Sequence, residues 1–303
     1  MRALVVLLAA ASFAQTRKEA PYPPPGKLVD VGGYRVHVNC VGEGSPTVMI
    51  VGGGFSFDWS LVQPEIARWT RVCTYDASGT AWSDPGAGRG CPAWMNEVHE
   101  LLQRAQVKGA YVLVGFSAGA IVARLYATTY PDETAGMVIV DHAFLPKPVT
   151  NAPPAGAAGD LNGVDTPPAV LSMTPVIFSH EDEPGFRNLP KQAQELDRWA
   201  NSINPDLPTE ETANQCMSAA EAAAQGRSYP LGEMPLVVIS TGNDAAGYAE
   251  LQSHLLALSR NSRQLMALKS FHSIEISQPD VVIDGIRRVI TAARNHASLK
   301  NAP

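Results

Sequence analysis

Short apolar runs alternate with amphipathic stretches along most of this 303-residue chain. Runs bounded by glycine, proline and polar residues predict strands at residues 28–31, 34–41, 47–51 and 71–75, with a short helix at 62–69. Helices predicted at 94–105 and 118–129 then alternate with strands predicted at 111–114 and 136–140. Because apolar strands separated by helices are typical of a parallel sheet covered on both faces, we predict an α/β fold.

The alternation stops between residues 143 and 233, where proline-rich and acidic stretches surround one polar helix pattern near residues 192–203. It resumes with strands at 236–240 and 264–268, a helix near 249–259 and a closing helix at 281–294. We therefore predict a core formed by residues 27–142 and 234–303, with residues 143–233 inserted as a cap.

The first residues have the pattern of an export signal. Met1-Arg2 is followed by an apolar run to Ala11 and by the small residues Ser12 and Ala14. Cleavage after Ala14 is expected, with residues 15–26 as a polar, proline-rich linker and a secreted or periplasmic protein as the result. A buried or amphipathic first helix and an uncleaved anchor are the alternatives, although this run is too short to span a bilayer.

The net charge of −6 excludes one class of partner. Nucleic-acid binding requires a basic stripe that neutralises phosphates, and no long run of like charges occurs. We expect a small-molecule substrate, no nucleic acid, and no membrane after signal cleavage. Oligomeric state is not predicted by any feature of the sequence.

The four cysteines, Cys40, Cys73, Cys91 and Cys216, do not have the spacing of a metal site. An exported protein keeps disulfides. Cys91 and Cys216 lie in polar, loop-like contexts and are predicted to pair. Cys40 and Cys73 lie in strand-like runs and are expected to be buried thiols.

The sequence Gly115-Phe116-Ser117-Ala118-Gly119 follows a predicted strand and begins a predicted helix. In this context G-x-S-x-G forms a sharp turn that exposes the serine hydroxyl. The alternative is a serine that only caps the following helix. We predict Ser117 as a nucleophile.

A serine needs a base to take its proton, and the base needs a third group to orient it. Among seven histidines, His272 lies in a loop between a short strand and the closing helix, where it can reach the same sheet edge as Ser117. His142 is the main rival. Two carboxylates compete to orient the base: Asp244, which is preferred for its loop after strand 236–240, and Asp141, which ends the strand before the insertion.

The developing oxyanion needs preorganised donors. The amide of Ala118 and one from the triplet Gly52-Gly53-Gly54 are candidates, with Gly53 preferred over Gly54. Taken alone, a glycine triplet is more often an ordinary tight turn.

The order of these motifs resembles the α/β-hydrolase superfamily, and most of all its small-molecule esterases. The resemblance is carried by residues 52–54, 75–83, 115–119, 130–132, 140–141 and 271–272. It implies an eight-stranded, mostly parallel sheet, a variable cap, a serine–acid–histidine order and no cofactor. Val51 and Phe116 stand where the family's motifs usually have histidine, and Phe271 stands where they usually have glycine, which makes the pocket less polar.

These features predict a serine hydrolase that cleaves a small carboxylic ester through an acyl-enzyme. A serine at the turn disfavours epoxide hydrolase and dehalogenase chemistry. For these activities the resemblance implies a carboxylate at that position as the attacking group. The alternatives are an aminopeptidase-like amide or peptide hydrolase, whose substrate amine would pair with the acidic cap, and an inactive member of the fold that only binds a ligand.

Overall fold

The computed structural model describes residues 19–52, 54–86, 90–142, 181, 183–203, 210–224, 226–242 and 252–299. The predicted signal peptide, most of the proline-rich part of the insertion, Gly53 and Asp244 lie outside these residues. No helix among the described residues is both long enough and apolar enough to cross a membrane.

The core is one eight-stranded sheet, as predicted. In chain order its strands are β1 (Lys27–Asp30), β2 (Arg35–Val41), β3 (Thr47–Val51), β4 (Val72–Asp76), β5 (Tyr111–Phe116), β6 (Thr134–Val140), β7 (Leu236–Thr241) and β8 (Ser262–Ala267). The spatial order is β1-β2-β4-β3-β5-β6-β7-β8. Strand β2 pairs antiparallel with both of its neighbours, β1 and β4, and all the other neighbouring pairs of the sheet are parallel.

Helices cover both faces of the sheet. They are α1 (Gln63–Ile66), α2 (Cys91–Arg104), α3 (Gly119–Thr129), α4 (Lys191–Ile203), α5 (Glu210–Ala224), α6 (Ile274–Ser277) and α7 (Pro279–Asn295). Two apolar cores result: side chains of α2 and α3 fill one face, and side chains of α1 and α7 fill the other. Because strands β3, β5, β6 and β7 are almost wholly buried, their carboxyl ends form a rigid edge for a site.

The insertion between β6 and β7 contributes helices α4 and α5. Apolar residues of α4 pack against the 3-10 helix Ser56–Leu61, which follows the glycine triplet. Helix α5 packs instead with α2 and α3. The two helices of the insertion therefore contact different elements of the core.

All four cysteines are in disulfides. The predicted bond between Cys91 and Cys216 is present and links α2 to α5, although both residues lie in helices rather than in loops. The expectation of buried thiols at Cys40 and Cys73 was wrong, because these residues face each other across β2 and β4 and are bonded. A strand-like context identifies burial but not the residue opposite, which depends on strand register.

A buried ion pair ties the first part of the chain to the sheet. His37 on β2 and Asp76 at the end of β4 are both fully buried, with 2.7 Å between Nδ1 and Oδ2. The His37 Nε2 also bonds to the carbonyl of Pro25, and Asp76 accepts the backbone N–H of Ser56 at 2.8 Å. Burial works against a charged His37, but the hydrogen bond and charge of Asp76 raise its pKa above the usual value.

We predict that Asp76→Asn lowers the free energy of unfolding by about 3–5 kcal/mol, because it removes one partner of a buried ion pair. A raised histidine pKa stabilises the folded chain fully below about pH 6.5, and this contribution is lost as pH rises through the folded pKa. Urea unfolding across that range should therefore show less pH dependence in the variant. The exposed pair Glu65–Arg68 provides a control, since Glu65→Gln should cost under about 1 kcal/mol. Equal losses in the two variants would contradict the prediction.

Candidate active site

Ser117 lies in a strained turn between β5 and α3. Its φ of 54° is in the left-handed region, a backbone conformation that residues with a side chain rarely adopt. The flanking glycines are required by close packing: a Cβ at Gly119 would lie 2.1 Å from the Val51 carbonyl oxygen, and one at Gly115 would lie 2.5 Å from the Ala120 Cα. The predicted turn is therefore formed, and it places the serine at the carboxyl edge of the sheet.

His272 lies in the loop between β8 and α6 and contacts Ser117 at the same edge of the sheet. Its Nε2 lies 2.9 Å from the Ser117 Oγ. Hydrogen bonds hold the loop around it: the Thr241 hydroxyl donates to the Ser270 carbonyl, and the Ile274 N–H donates to the His272 carbonyl at 2.9 Å. The predicted pair of serine and histidine is thus within reach of direct proton transfer.

The carboxylate beside His272 belongs to Asp141, the second choice of the sequence analysis. Its Oδ2 lies 2.5 Å from the His272 Nδ1, and the side chain is fully buried. Asp141 directly follows β6, which is the strand next to β5 and its serine. The preferred Asp244 follows β7, one strand further away, and lies outside the described residues.

Asp141 also affects the charge of His272. Burial would lower the pKa of His272, but the hydrogen bond and charge of Asp141, with smaller effects from Glu275 and Glu183, hold it above the usual value. A carboxylate at Nδ1 leaves the lone pair of Nε2 directed at the serine hydroxyl. The arrangement therefore suits a histidine that accepts the serine proton.

We predict that kcat/KM for an ester rises with pH, with a midpoint above about 6.5. The base must be neutral to accept a proton, and a raised pKa keeps His272 protonated to higher pH. In Asp141→Asn the residual activity should titrate at lower pH, because burial then acts without the opposing carboxylate. A pH–rate profile of both proteins measures this, and an unchanged midpoint in the variant would contradict the assignment.

One donor expected for an oxyanion, the amide of Ala118, belongs to the residue directly after the serine. Ala118 is the N-cap of α3, so its N–H belongs to the first turn, where amides have no acceptor within the helix. Gly54 lies just before Phe55, whose N–H is held by the Asp58 carboxylate at 2.6 Å. Gly53, the preferred second donor, lies outside the described residues, so its role and that of Gly54 remain predictions.

Aromatic side chains lie beside His272 and Ser117. The Phe116 ring packs on the His272 ring with centroids 4.9 Å apart, and Trp59 contacts Phe116 edge-on. Beyond them, Phe55 and Phe57 join Trp199 of α4 in an apolar cluster. The residue before Ser117 therefore supplies an apolar contact to the His272 ring.

His142, the alternative to His272 as the base, directly follows Asp141 and is fully buried. Its Nε2 lies 3.4 Å from the Arg124 guanidinium. Burial, together with the Arg124 charge, holds its pKa well below the usual value. Its contacts fit a structural side chain beneath the acid.

Sequence reasoning missed one polar residue of this site, Gln252. Its side-chain amide donates to the Asp141 Oδ1 at 3.2 Å. No motif surrounds Gln252 in the sequence, and its partner is 111 residues away, so only the folded chain reveals the contact.

The sheet order, the strained serine and its histidine–carboxylate partner define the architecture of an α/β hydrolase. A profile of the α/β hydrolase fold family matches residues 46–274. The chain belongs to this family.

The relatives that match this chain are mostly distant in sequence. An uncharacterized protein, YqjL of Bacillus subtilis (strain 168), is 26% identical over 84% of this chain and 88% of its own length. The 2-hydroxymuconate semialdehyde hydrolase of Pseudomonas sp. (strain CF600) is 28% identical over 42% of this chain and 47% of its own length. The chain spans less than half the length of three of the curated relatives that it matches.

Solved structures share the fold. A thermophilic esterase from Thermogutta terrifontis has a TM-score of 0.62 and 21% identity, covering 88% of this chain and 98% of its own. At this identity the likeness concerns the fold alone.

Proposed function

We propose that this chain is a serine hydrolase that cleaves a carboxylic ester of a small molecule. Ser117 attacks the carbonyl carbon, and His272 takes the serine proton and returns it to the leaving alcohol. Asp141 orients the imidazole and stabilises its charged form. Water then attacks the acyl-enzyme with the help of the same base and releases the acid.

One observation carries the proposal: the continuous chain of hydrogen bonds from Asp141 through His272 to Ser117, at 2.5 and 2.9 Å. The strained turn supports it, because backbone strain at a serine beside a base is typical of an activated nucleophile. A serine hydroxyl at this position also favours acyl transfer over chemistry that begins with attack by a carboxylate.

The test is covalent labelling with a fluorophosphonate, followed by turnover of short p-nitrophenyl esters. Labelling at Ser117 together with ester turnover supports a hydrolase. An unlabelled serine supports the alternative of an inactive fold member that binds a ligand. The control variant Ser262→Ala removes a hydroxyl bonded to the Leu256 carbonyl, away from the serine and histidine, and should label fully.

A second candidate is hydrolysis of an amide or peptide with a free amine. It is favoured by two carboxylates, Glu183 of the insertion and Glu275 of α6, whose charges act on His272 and would attract a cationic group beside the scissile bond. Aminoacyl p-nitroanilides compared with p-nitrophenyl esters distinguish the two activities. A preference for the anilides by kcat/KM would select this candidate.

We also propose that the protein is exported, with residues 1–14 removed as a signal peptide. The support is the pattern of the first residues and the presence of two disulfides, which persist in oxidising compartments.

A further inference from the structure

Gln252 connects the proposed acid to the backbone that follows it. The residue comes just before the 3-10 helix His254–Leu258 and is fully buried. Its amide nitrogen lies 3.2 Å from the Asp141 Oδ1 and 3.1 Å from the His142 carbonyl oxygen. Its amide oxygen accepts the His142 N–H at 3.3 Å. One side chain therefore bonds to the carboxylate and to both backbone polar groups of the next residue.

The acid requires such support because its backbone is unfavourable. Asp141 has a φ of 39°, in the left-handed region that residues with a Cβ rarely adopt. Such conformations persist only where the surroundings hold them in place. The Asp141 N–H continues the pairing with β7 by donating to the Ile239 carbonyl at 2.9 Å, and Gln252 holds the chain on the other side.

The carboxylate itself is fixed at both oxygens. The Oδ2 bonds to the His272 Nδ1, whereas the Oδ1 accepts the Gln252 amide. Rotation of the buried carboxylate would break the bond to Gln252, and in a buried site a lost hydrogen bond is not replaced by water. The His272 Nδ1, the Gln252 amide and the backbone N–H of Thr241 thus hold the carboxylate in the plane in which it meets the imidazole.

We propose that Gln252 is a positioning residue that orients Asp141 toward His272. The inference rests on the proposed serine hydrolase function and adds a fourth side chain to its machinery. Gln252 does not touch the reacting atoms and acts through Asp141, by its bond to the carboxylate and by its bonds to the backbone that follows.

The first test is Gln252→Leu, which keeps similar volume but removes the amide. We expect kcat per active site to fall by about 10- to 100-fold with KM changed by less than about twofold, because misplaced catalytic groups slow the chemical step. Active sites are counted by fluorophosphonate labelling, so partial unfolding does not enter kcat. The matched control is Gln63→Leu, because Gln63 is also buried and donates to a backbone carbonyl, that of Asn39, at 2.9 Å. Equal kcat per site in the two variants would overturn the proposal.

A double-mutant cycle separates positioning from a general structural role. If Gln252 acts through the acid, Gln252→Leu should cost almost nothing further in an Asp141→Asn background. Fully additive losses of kcat would count against it.

Gln252→Glu preserves the shape of the side chain and addresses the case in which the leucine variant does not fold. While protonated, the new carboxyl group donates to the Asp141 Oδ1 as the amide did. Once ionised, it places a second negative charge against the first. The ratio of its kcat to that of the wild type should therefore fall as pH rises, and a ratio independent of pH would contradict the proposal.

Labelling rates keep the two hypotheses distinguishable. If the wild type reacts with fluorophosphonate but Gln252→Leu reacts equally fast, the positioning role fails and the proposed function stands. If Ser117 of the wild type is not labelled at all, both fail.

Discussion

Ser117→Ala is expected to reduce ester turnover by roughly 10⁶-fold, to a rate due only to binding and any remaining oxyanion donors. The substitution removes one oxygen and keeps the Cβ, so the strained backbone at φ 54° is unchanged. His272 then has no hydroxyl to deprotonate. The rate of p-nitrophenyl ester hydrolysis and the extent of fluorophosphonate labelling measure the effect.

The fold should survive this change, because the serine hydroxyl contributes one partly exposed hydrogen bond to His272. A melting temperature close to that of the wild type is the control for intact structure. Retained labelling or turnover in a folded Ser117→Ala protein would place the nucleophile elsewhere and refute the mechanism.

Asp141→Asn is expected to lower kcat by about 10⁴-fold, the second largest effect. An asparagine amide can donate to the Nδ1 of His272 and thereby stabilise the tautomer that carries its proton on Nε2. That nitrogen then faces the Ser117 hydroxyl as a donor and cannot take its proton. Because Asp141 is buried, activity must be expressed per labelled site, so that a loss of folded protein is not mistaken for a loss of catalysis.

Asp244→Asn is the matched comparison, since it changes the other candidate carboxylate in the same way. We expect this variant to keep most of its activity, because the His272 Nδ1 already bonds to Asp141 at 2.5 Å. Both variants are measured on one ester at a pH above the midpoint of the wild type. The reverse ranking would return the acid to the end of β7.

The sequence favoured Asp244, whereas the structure has Asp141 beside His272. The local sequence at the end of a strand does not show which distant residue that strand end contacts. Asp141 and Asp244 both follow apolar strands that enter the same sheet in parallel, so both predict a carboxylate at the correct edge. The distance of each carboxylate from His272 depends on the sheet order and on backbone conformations such as the φ of 39° at Asp141. Neither quantity is written in local sequence.

The sequence by itself determined the α/β fold, the strand positions and the serine turn. These features depend on short-range patterns: apolar runs of strand length, and glycines at fixed offsets from Ser117 whose absent side chains allow contact with Val51 and Ala120. The Cys91–Cys216 bond was also predicted, since exclusion of the strand cysteines left that pair, but the same reasoning missed the bond between Cys40 and Cys73.

Tertiary structure alone decided the remaining partners. Cys40 meets Cys73 because of the register of two antiparallel strands, and Asp141 meets His272 across 131 residues of chain. Gln252 reaches the same carboxylate from a segment without any recognisable motif. Contacts of this kind depend on how whole elements pack, so a pattern read along the chain identifies candidate groups, whereas packing selects which of them touch.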